Sequence, residues 1–245
     1  MNHTSTTLSV AKHLNESRLL SYTGLPYVLG ETNSLYNGGA PGLSNMFGAA
    51  LWAMDFSLYC AATGIGRIHV QLGTNFRYNS WQPIHTGDAT KGTKAPYYGN
   101  IATTKVLGDL TKGKVRISDI DLGNAHQNAY AVYVNGSLER IAIVQMTEYN
   151  YTTLAPRSRP NETFTFQVPR GSGIKTVGVQ RLLANGSNAI TGITFDGYSY
   201  NYELEEGRPV LLHNVTRGEV LPVSQDGVIQ VDVPWSSAAV LNLQR

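Results

Sequence analysis

The chain has 245 residues, of which 15% are charged, and a formal net charge of +2. That length can bury a core without disulfides or metals, and the single cysteine, Cys60, excludes an internal disulfide. No stretch of about five or six like charges argues for nucleic acid or an anionic membrane, and no apolar run reaches the ~20 residues of a membrane-spanning helix.

In chain order, Ser9 to Leu20 reads as a short helix. Pro26-Tyr27-Val28-Leu29-Gly30 reads as a buried strand that ends at Glu31, followed by a Gly- and Asn-rich loop from Thr32 to Gly42. Ser44 can cap a helix running to about Ala62, with Phe47, Leu51, Met54, Leu58 and Ala61 on one face and Gly64 as the stop. Cys60 falls in this apolar run, where a thiol is inert packing. Gly66 to Leu72 reads as a second strand, Gly73 to Lys94 as a long polar loop, and Ala95 to Leu110 as a last helix. Strand–helix–strand–helix is the unit of a parallel sheet or a (β/α) barrel, and two such units cannot close a barrel alone. Residues 1–113 are therefore expected to be the last portion of an incomplete (β/α)8 barrel.

Residues 114–245 read as strands and turns. Phe164, Phe166 and Val168 share one face, and Ile229, Val231 and Val233 alternate with Gln230 and Asp232. Asn135-Gly136 between Tyr130–Val134 and Leu138–Met146 is a strong hairpin signal, and Asn185-Gly186, Asp196-Gly197 and Asp226-Gly227 punctuate later strands. About eight strands are expected in an antiparallel β-sandwich, with a loop over residues 153–160. The fold class is thus α/β plus all-β.

Seven Asn-x-Ser/Thr sequons occur, at Asn2, Asn15, Asn135, Asn150, Asn161, Asn185 and Asn214. This excess argues for a glycosylated, secreted protein. Residues 1–20 are polar and form no signal peptide. Met1 is therefore expected not to be the natural start, and the chain to be the carboxyl-terminal part of a longer protein.

The stretch that carries chemistry is Leu29-Gly30-Glu31-Thr32-Asn33-Ser34-Leu35-Tyr36-Asn37-Gly38-Gly39-Ala40-Pro41. A carboxylate at the end of a strand stands where (β/α) barrels build active sites. The glycines after it let backbone N–H groups approach a ligand closely. Taken alone, a Glu after a strand is more often a capping or salt-bridging carboxylate. The whole stretch, however, resembles the nucleophile segment of glycoside hydrolase family 79, the β-glucuronidases and heparanases. The likeness continues through Leu43-Ser44 and Trp52-Ala53-Met54-Asp55, resumes at Gly73-Thr74-Asn75-Phe76-Arg77-Tyr78, and is looser in the second half.

The resemblance implies a retaining glycosidase whose nucleophile is Glu31. It places Tyr36 along the sugar subsite, and Gly38 and Tyr78 beside the carboxylate of the uronic acid. The implied substrate is a glycan bearing a terminal β-glucuronic acid or its 4-O-methyl form. Asn37 stands where the heparanases have glycine, which bears on loop detail. The family's acid/base, a Glu preceded by Asn on an earlier strand, has no counterpart here. Asn15-Glu16 lies in the preceding helix and is expected to be helix surface, so the chain alone is expected to be inactive.

Beyond the motif, Gln71 could reach sugar hydroxyls and Asn75 could orient Tyr78. His69 is expected on a strand face, and Asp55 is expected to anchor its helix rather than do chemistry. Trp81 could stack on a sugar, whereas Tyr97-Tyr98 fit core packing better. No Cys/His cluster has zinc spacing, and neither metal nor cofactor is expected. Two other readings remain: a noncatalytic carbohydrate-binding or truncated scaffold protein, and a retaining glycosidase acting on neutral sugars.

Overall fold

The structure, a computed structural model, describes residues 2–154 and 158–245. The expectation about Met1 and the middle of the loop expected over 153–160 lie outside those residues. The first part runs α1 (His3–Leu19), β1 (Val28–Thr32), α2 (Phe47–Ala62), β2 (Arg67–Val70), a short hairpin of β3 (Trp81–Gln82) and β4 (Gly92–Thr93), then α3 (Ala95–Leu107). The second runs β5 (Val115–Ile120), β6 (Gln127–Val134), β7 (Ser137–Gln145), α4 (Tyr151–Leu154), β8 (Asn161–Gln167), β9 (Thr176–Leu183), β10 (Thr194–Phe195), β11 (Tyr198–Ser199), α5 (Tyr202–Glu205), β12 (Val210–Leu211), β13 (Glu219–Pro222), β14 (Val228–Pro234) and β15 (Ser237–Gln244).

β1 and β2 form a two-stranded parallel sheet, Val28 opposite Arg67 and Leu29 opposite Ile68, with α2 as the crossover. Leu29 and Ile68 face Phe56 and Cys60 of α2 and Val10 of α1 in one small core. The other face of the pair is bare: Val28, Gly30, Glu31, Arg67 and His69 are all exposed. This corrects the expectation of a buried strand over Pro26–Gly30, since only Leu29 is buried and the strand runs on to Thr32. With no strand packed over that face, apolar side chains on it have nothing to bury against. Three further boundaries differ. The first helix begins six residues earlier than expected, at His3, where the Asn2 side chain accepts from the Ser5 N–H. α2 starts after Met46 without a side-chain cap, because the Ser44 hydroxyl is taken by the Ala40 N–H at 3.1 Å. α3 ends at Leu107, where Gly108 takes φ +70.

The second part is a layered β structure. Nine strands form one sheet in the order β12-β11-β10-β9-β15-β7-β6-β5, with β13 also paired to β9, and β14 pairs β8 in a separate ribbon. The alternation read from the sequence turns Phe164, Phe166, Val168, Ile229, Val231 and Val233 of the ribbon onto the large sheet. There they meet Ile141, Ile143, Val179 and Leu241. The opposite face of the same sheet carries Tyr130, Val132, Val144 and Val240. It packs against Phe47, Leu51 and Met54 of α2 and Ala102 and Val106 of α3. A central strand with both faces covered is apolar at every position, as Ala238 to Leu241 are. Asn135 (φ 50) and Gly136 (φ 84), like Asp196 (φ 51) and Gly197 (φ 79), take the paired left-handed conformations of a two-residue hairpin turn. The expected eight strands are eleven, because the stretch from 194 to 222 folds into several short ones, and helical turns interrupt them at α4 and α5.

Candidate active site

Glu31 owes its orientation to a bulge. Leu29 pairs with Ile68 and Thr32 with Val70, so Gly30 and Glu31 together oppose the single residue His69. Regular alternation would send Glu31 to the helix side with Leu29; the extra residue turns it onto the exposed face. It stands one residue before the carboxyl end of β1. Beyond the strand ends the Thr32 carbonyl accepts from the Gln71 N–H at 2.9 Å, and Asn33 Nδ2 donates to the Gln71 carbonyl at 2.9 Å. These bonds hold the loop after β1 against the loop after β2.

That contact is extended by glycines. Asn37, Gly38 and Gly39 all have positive φ (52°, 75° and 84°). A Cβ on Gly38 would lie 2.7 Å from the Phe76 ring; one on Gly39 would lie 2.7 Å from Ser44 Cβ and 3.2 Å from the Tyr78 ring. Phe76 also covers Gly73, where a Cβ would come within 2.3 Å of its ring. The Gly38 carbonyl accepts from the Arg77 N–H at 2.6 Å. The Tyr78 hydroxyl lies near the Gly38 N–H and within the field of Glu31. Burial first, and then the negative charge of Glu31, push the Tyr78 phenol above its ordinary value despite that N–H. Tyr78 therefore keeps its proton, and its O–H remains a neutral donor in the field of a carboxylate.

Residues 129–240 match the model of the glycosyl hydrolase family 79 C-terminal beta domain. A β-glucuronidase of Aspergillus niger is 53% identical over 256 residues, covering 99% of this chain and 47% of that protein. A β-glucuronidase of Neurospora crassa is 46% identical over 245 residues, covering 89% of this chain and 44% of that protein. Residues 129–240 belong to glycoside hydrolase family 79 as its C-terminal beta domain. The chain spans about half the length of the curated relatives it matches. Among solved structures, a 4-O-α-L-rhamnosyl-β-D-glucuronidase from Fusarium oxysporum superimposes with a TM-score of 0.78 at 24% identity, covering 98% of this chain and 48% of that one. That likeness concerns the fold.

The expected site residues, which precede the matched domain, are not all gathered. Glu31, Gly38 and Tyr78 come together as described. Tyr36 is 82% exposed, with its ring in solvent and its carbonyl accepting from the Gly39 N–H at 3.1 Å. Gln71 contributes its backbone to the clamp on Thr32 and Asn33, while its side chain is half-buried. Asn75, at φ 70, is tied into its own loop: Nδ2 donates to Asp88 at 2.9 Å, and Oδ1 accepts from the Thr86 hydroxyl at 2.5 Å. His69 is on the exposed strand face, opposite the bulge. Glu16 accepts from the Tyr27 hydroxyl at 2.5 Å on the surface of α1. The cavity beneath the two strands, lined by Asn33, Trp52, Ile68, Val70 and Tyr78, does not include Glu31. Among the described residues no three His, Cys, Asp or Glu side chains group so as to hold a metal ion, and no helix is long and apolar enough to cross a membrane.

Asp55 anchors its helix, through side chains rather than backbone. It is fully buried, takes the Tyr130 hydroxyl at 2.7 Å and lies 2.9 Å from His3 Nδ1, which ties α1, α2 and β6 together. Burial works against charge on His3, but the hydrogen bond and charge of Asp55 outweigh it, with Asp119 and Asp121 adding, and its pKa is raised. Burial, with the charge of Asp55, pushes the Cys60 thiol up to about 12, so it is unreactive. The sequons divide by exposure. Asn15, Asn135, Asn161, Asn185 and Asn214 are exposed, whereas Asn2 and Asn150 are half-buried and their side-chain oxygens accept from Ser5 and Thr152 N–H groups. Sequence reasoning gave no role to Phe76 or Gln82. The paired glycines at 38 and 73 were the available signal for an aromatic packed between them.

Proposed function

We propose that this chain carries the nucleophile of a retaining β-glucuronidase, with residues 1–113 as the closing βα units of a (β/α)8 barrel and residues 114–245 as its β-domain. The observation that carries this reading is the bulge that presents Glu31 on the helix-free face of β1, with the protonated Tyr78 in its field. A sheet covered by helices on one face only, with each strand unpaired on its outer edge among the described residues, is what two strands of a barrel look like without their neighbours. The bare face then corresponds to a barrel interior.

In the proposed reaction the Glu31 carboxylate attacks the anomeric carbon of a β-glucuronosyl residue. The bond to the leaving oxygen breaks as a second carboxyl group protonates that oxygen. A glycosyl ester forms on Glu31, and water, deprotonated by the same second group, hydrolyses it with net retention. Such pairs stand about 5–5.5 Å apart. We assign the second carboxyl group to residues outside this chain, since Glu16 is engaged on the α1 surface and Asp55 is buried on the far side of α2 from the strand pair's bare face. The Tyr78 O–H donates to the uronate carboxylate, and Tyr36, Gln71 and Asn75 line the surrounding loops. A neutral donor selects a carboxylate over a hydroxymethyl group without drawing charge away from the nucleophile. The substrate class is a glycan ending in glucuronic acid or its 4-O-methyl form, and the protein is a secreted glycoprotein with glycans on its exposed sequons. Peptide N-glycosidase treatment of the secreted protein should lower its mass; an unchanged mass would remove that last point.

The test joins this chain behind the first half of the Aspergillus niger relative and assays p-nitrophenyl β-D-glucuronide. Turnover is expected in the joined protein and none in the chain by itself. Glu31→Gln should cut turnover by at least about 10³-fold while leaving the melting curve in place. Undiminished turnover of Glu31→Gln, or robust turnover by the 245-residue chain, overturns the assignment.

A further inference from the structure

The loop that supplies Tyr78 continues into a cleft that the reaction above does not use. Between the β3/β4 hairpin and the turn of α5 lies a cavity of about 310 Å³, lined by Trp81, Gln82, Lys91, Tyr97, Tyr202 and Glu206, with three glycine and threonine backbones. Three of its walls are aromatic. Trp81 is 51% exposed, which leaves part of its ring open to solvent beside the cleft. Tyr202 packs directly over Gly92, where a Cβ would lie 2.4 Å from Tyr202 Cβ, so the second half of the chain closes the cleft from one side. Tyr97 closes another, its ring edge-on to Tyr98 and Tyr200 at 6.5 and 5.9 Å between centroids.

The cleft carries both donors and acceptors. Gln82 is 1% exposed, and its Oε1 accepts from the Asn79 side chain at 3.0 Å and the Asn75 N–H at 3.3 Å. Those bonds fix which end of the amide is which, and its Nε2 has no hydrogen-bond partner among the described residues. A buried amide left this way costs free energy, and it forms the closed floor of the cleft and not its open wall. Lys91 lies over the Tyr202 ring at 5.0 Å, and Glu206 lines the same cleft and offers acceptor oxygens. Aromatic faces for C–H surfaces, with donors and one carboxylate for ring hydroxyls, match a pyranose and suit neither a nucleotide nor a lipid chain.

Its place along the loop sets which pyranose. Trp81 lies three positions after Tyr78, so their Cα atoms are at most about 11 Å apart, the span of one or two sugar units. We infer that this cleft is a subsite for a neutral pyranose of the glycan chain that bears the glucuronosyl residue, with the indole face of Trp81 as its stacking surface and Lys91 and Glu206 meeting its hydroxyls. The inference rests on the proposed function for its place in a reaction, but sugar binding at the cleft is measurable without it.

The experiment titrates the 245-residue chain with a neutral β-1,6-linked galactotriose, followed by ligand-observed NMR saturation transfer. Saturable binding is expected, weakened at least tenfold by Trp81→Ala and much less by Trp81→Phe. Trp81 is half in solvent, so its replacement leaves the fold standing; Lys91→Ala provides a second exposed-side variant, with a several-fold loss expected. Equal binding by wild type and Trp81→Ala, or no saturable binding by the wild type, overturns the subsite. A failure of the Glu31 assignment shows elsewhere, as turnover that survives Glu31→Gln in the joined enzyme.

Discussion

Replacing His3 by Gln removes one partner of a fully buried carboxylate and should make the stability of this protein depend on pH in a specific direction. His3 Nδ1 lies 2.9 Å from Asp55 Oδ1, its side chain is 12% exposed, and Asp119 and Asp121 add to the negative field it sees. Tyr59, whose ring is edge-on at 5.3 Å, and Tyr130 complete its surroundings. The folded-state pKa of His3 is raised from 6.5. A raised pKa means that the contribution is fully present below about pH 6.5 and is lost as pH climbs through the folded value. A hydrogen bond to a charged partner contributes about 1.5–3 kcal/mol, and a neutral one about 1. His3→Gln should therefore cost about 2 kcal/mol at pH 5.5 and about half of that at pH 9. For a chain of this size that is about 4–8 °C in Tm at the lower pH. Thermal melts of wild type and variant across this range, followed by circular dichroism, give the comparison. A difference that stays flat with pH, or widens as pH rises, would refute the argument that the ion pair forms. Asp55→Ala should cost more at every pH, about 3–5 kcal/mol, because it leaves His3 buried without its carboxylate and Tyr130 with only the longer bond to the residue-55 carbonyl.

Gly38→Ala meets both a positive φ and the Phe76 ring, whereas Gly24→Ala meets a similar φ with nothing within 4 Å. The two should differ by about 1–3 kcal/mol in urea denaturation, with Gly38→Ala the weaker protein; equal losses would mean that Phe76 yields freely. Arg159→Met leaves the carbonyls of Trp235, Ala184 and Ser236 without their guanidinium. Burial pushes that group down to about 10, still charged at neutral pH. A loss of about 2–5 kcal/mol, equal at pH 6 and pH 8, is expected from denaturation curves, and a pH-dependent loss would contradict it.

The helices, the two parallel strands and the hairpin turns were legible because each is written locally. Apolar spacing marks α2, and Asn135-Gly136 can hardly be anything but a turn. The exposure of β1 was not legible, since Val28 and Leu29 look alike in sequence and only the bare face in the fold tells them apart. Ser44 reads as a cap by residue type, yet its hydroxyl serves the glycine loop four residues back. The site motif announced Glu31, Gly38 and Tyr78 together, whereas the links among them depend on Phe76 filling the space that two glycines leave. Neither the His3–Asp55–Tyr130 network nor the Gln82 cleft is visible in sequence, because their members lie 52, 75 and over a hundred positions apart.

The bulge in β1 works as a change of phase. A strand alternates like an even–odd count, and by that count the carboxylate of Glu31 shares its sense with Leu29 and would point among Phe56 and Cys60. One surplus residue inverts the count for everything after it. Inserting one residue beside His69, so that Gly30 and Glu31 each gain a partner, would leave every chemical group of the site in the sequence and bury the acid among helices, where an isolated charge is driven to protonate. At this position the chemistry depends on how many residues there are as much as on which ones.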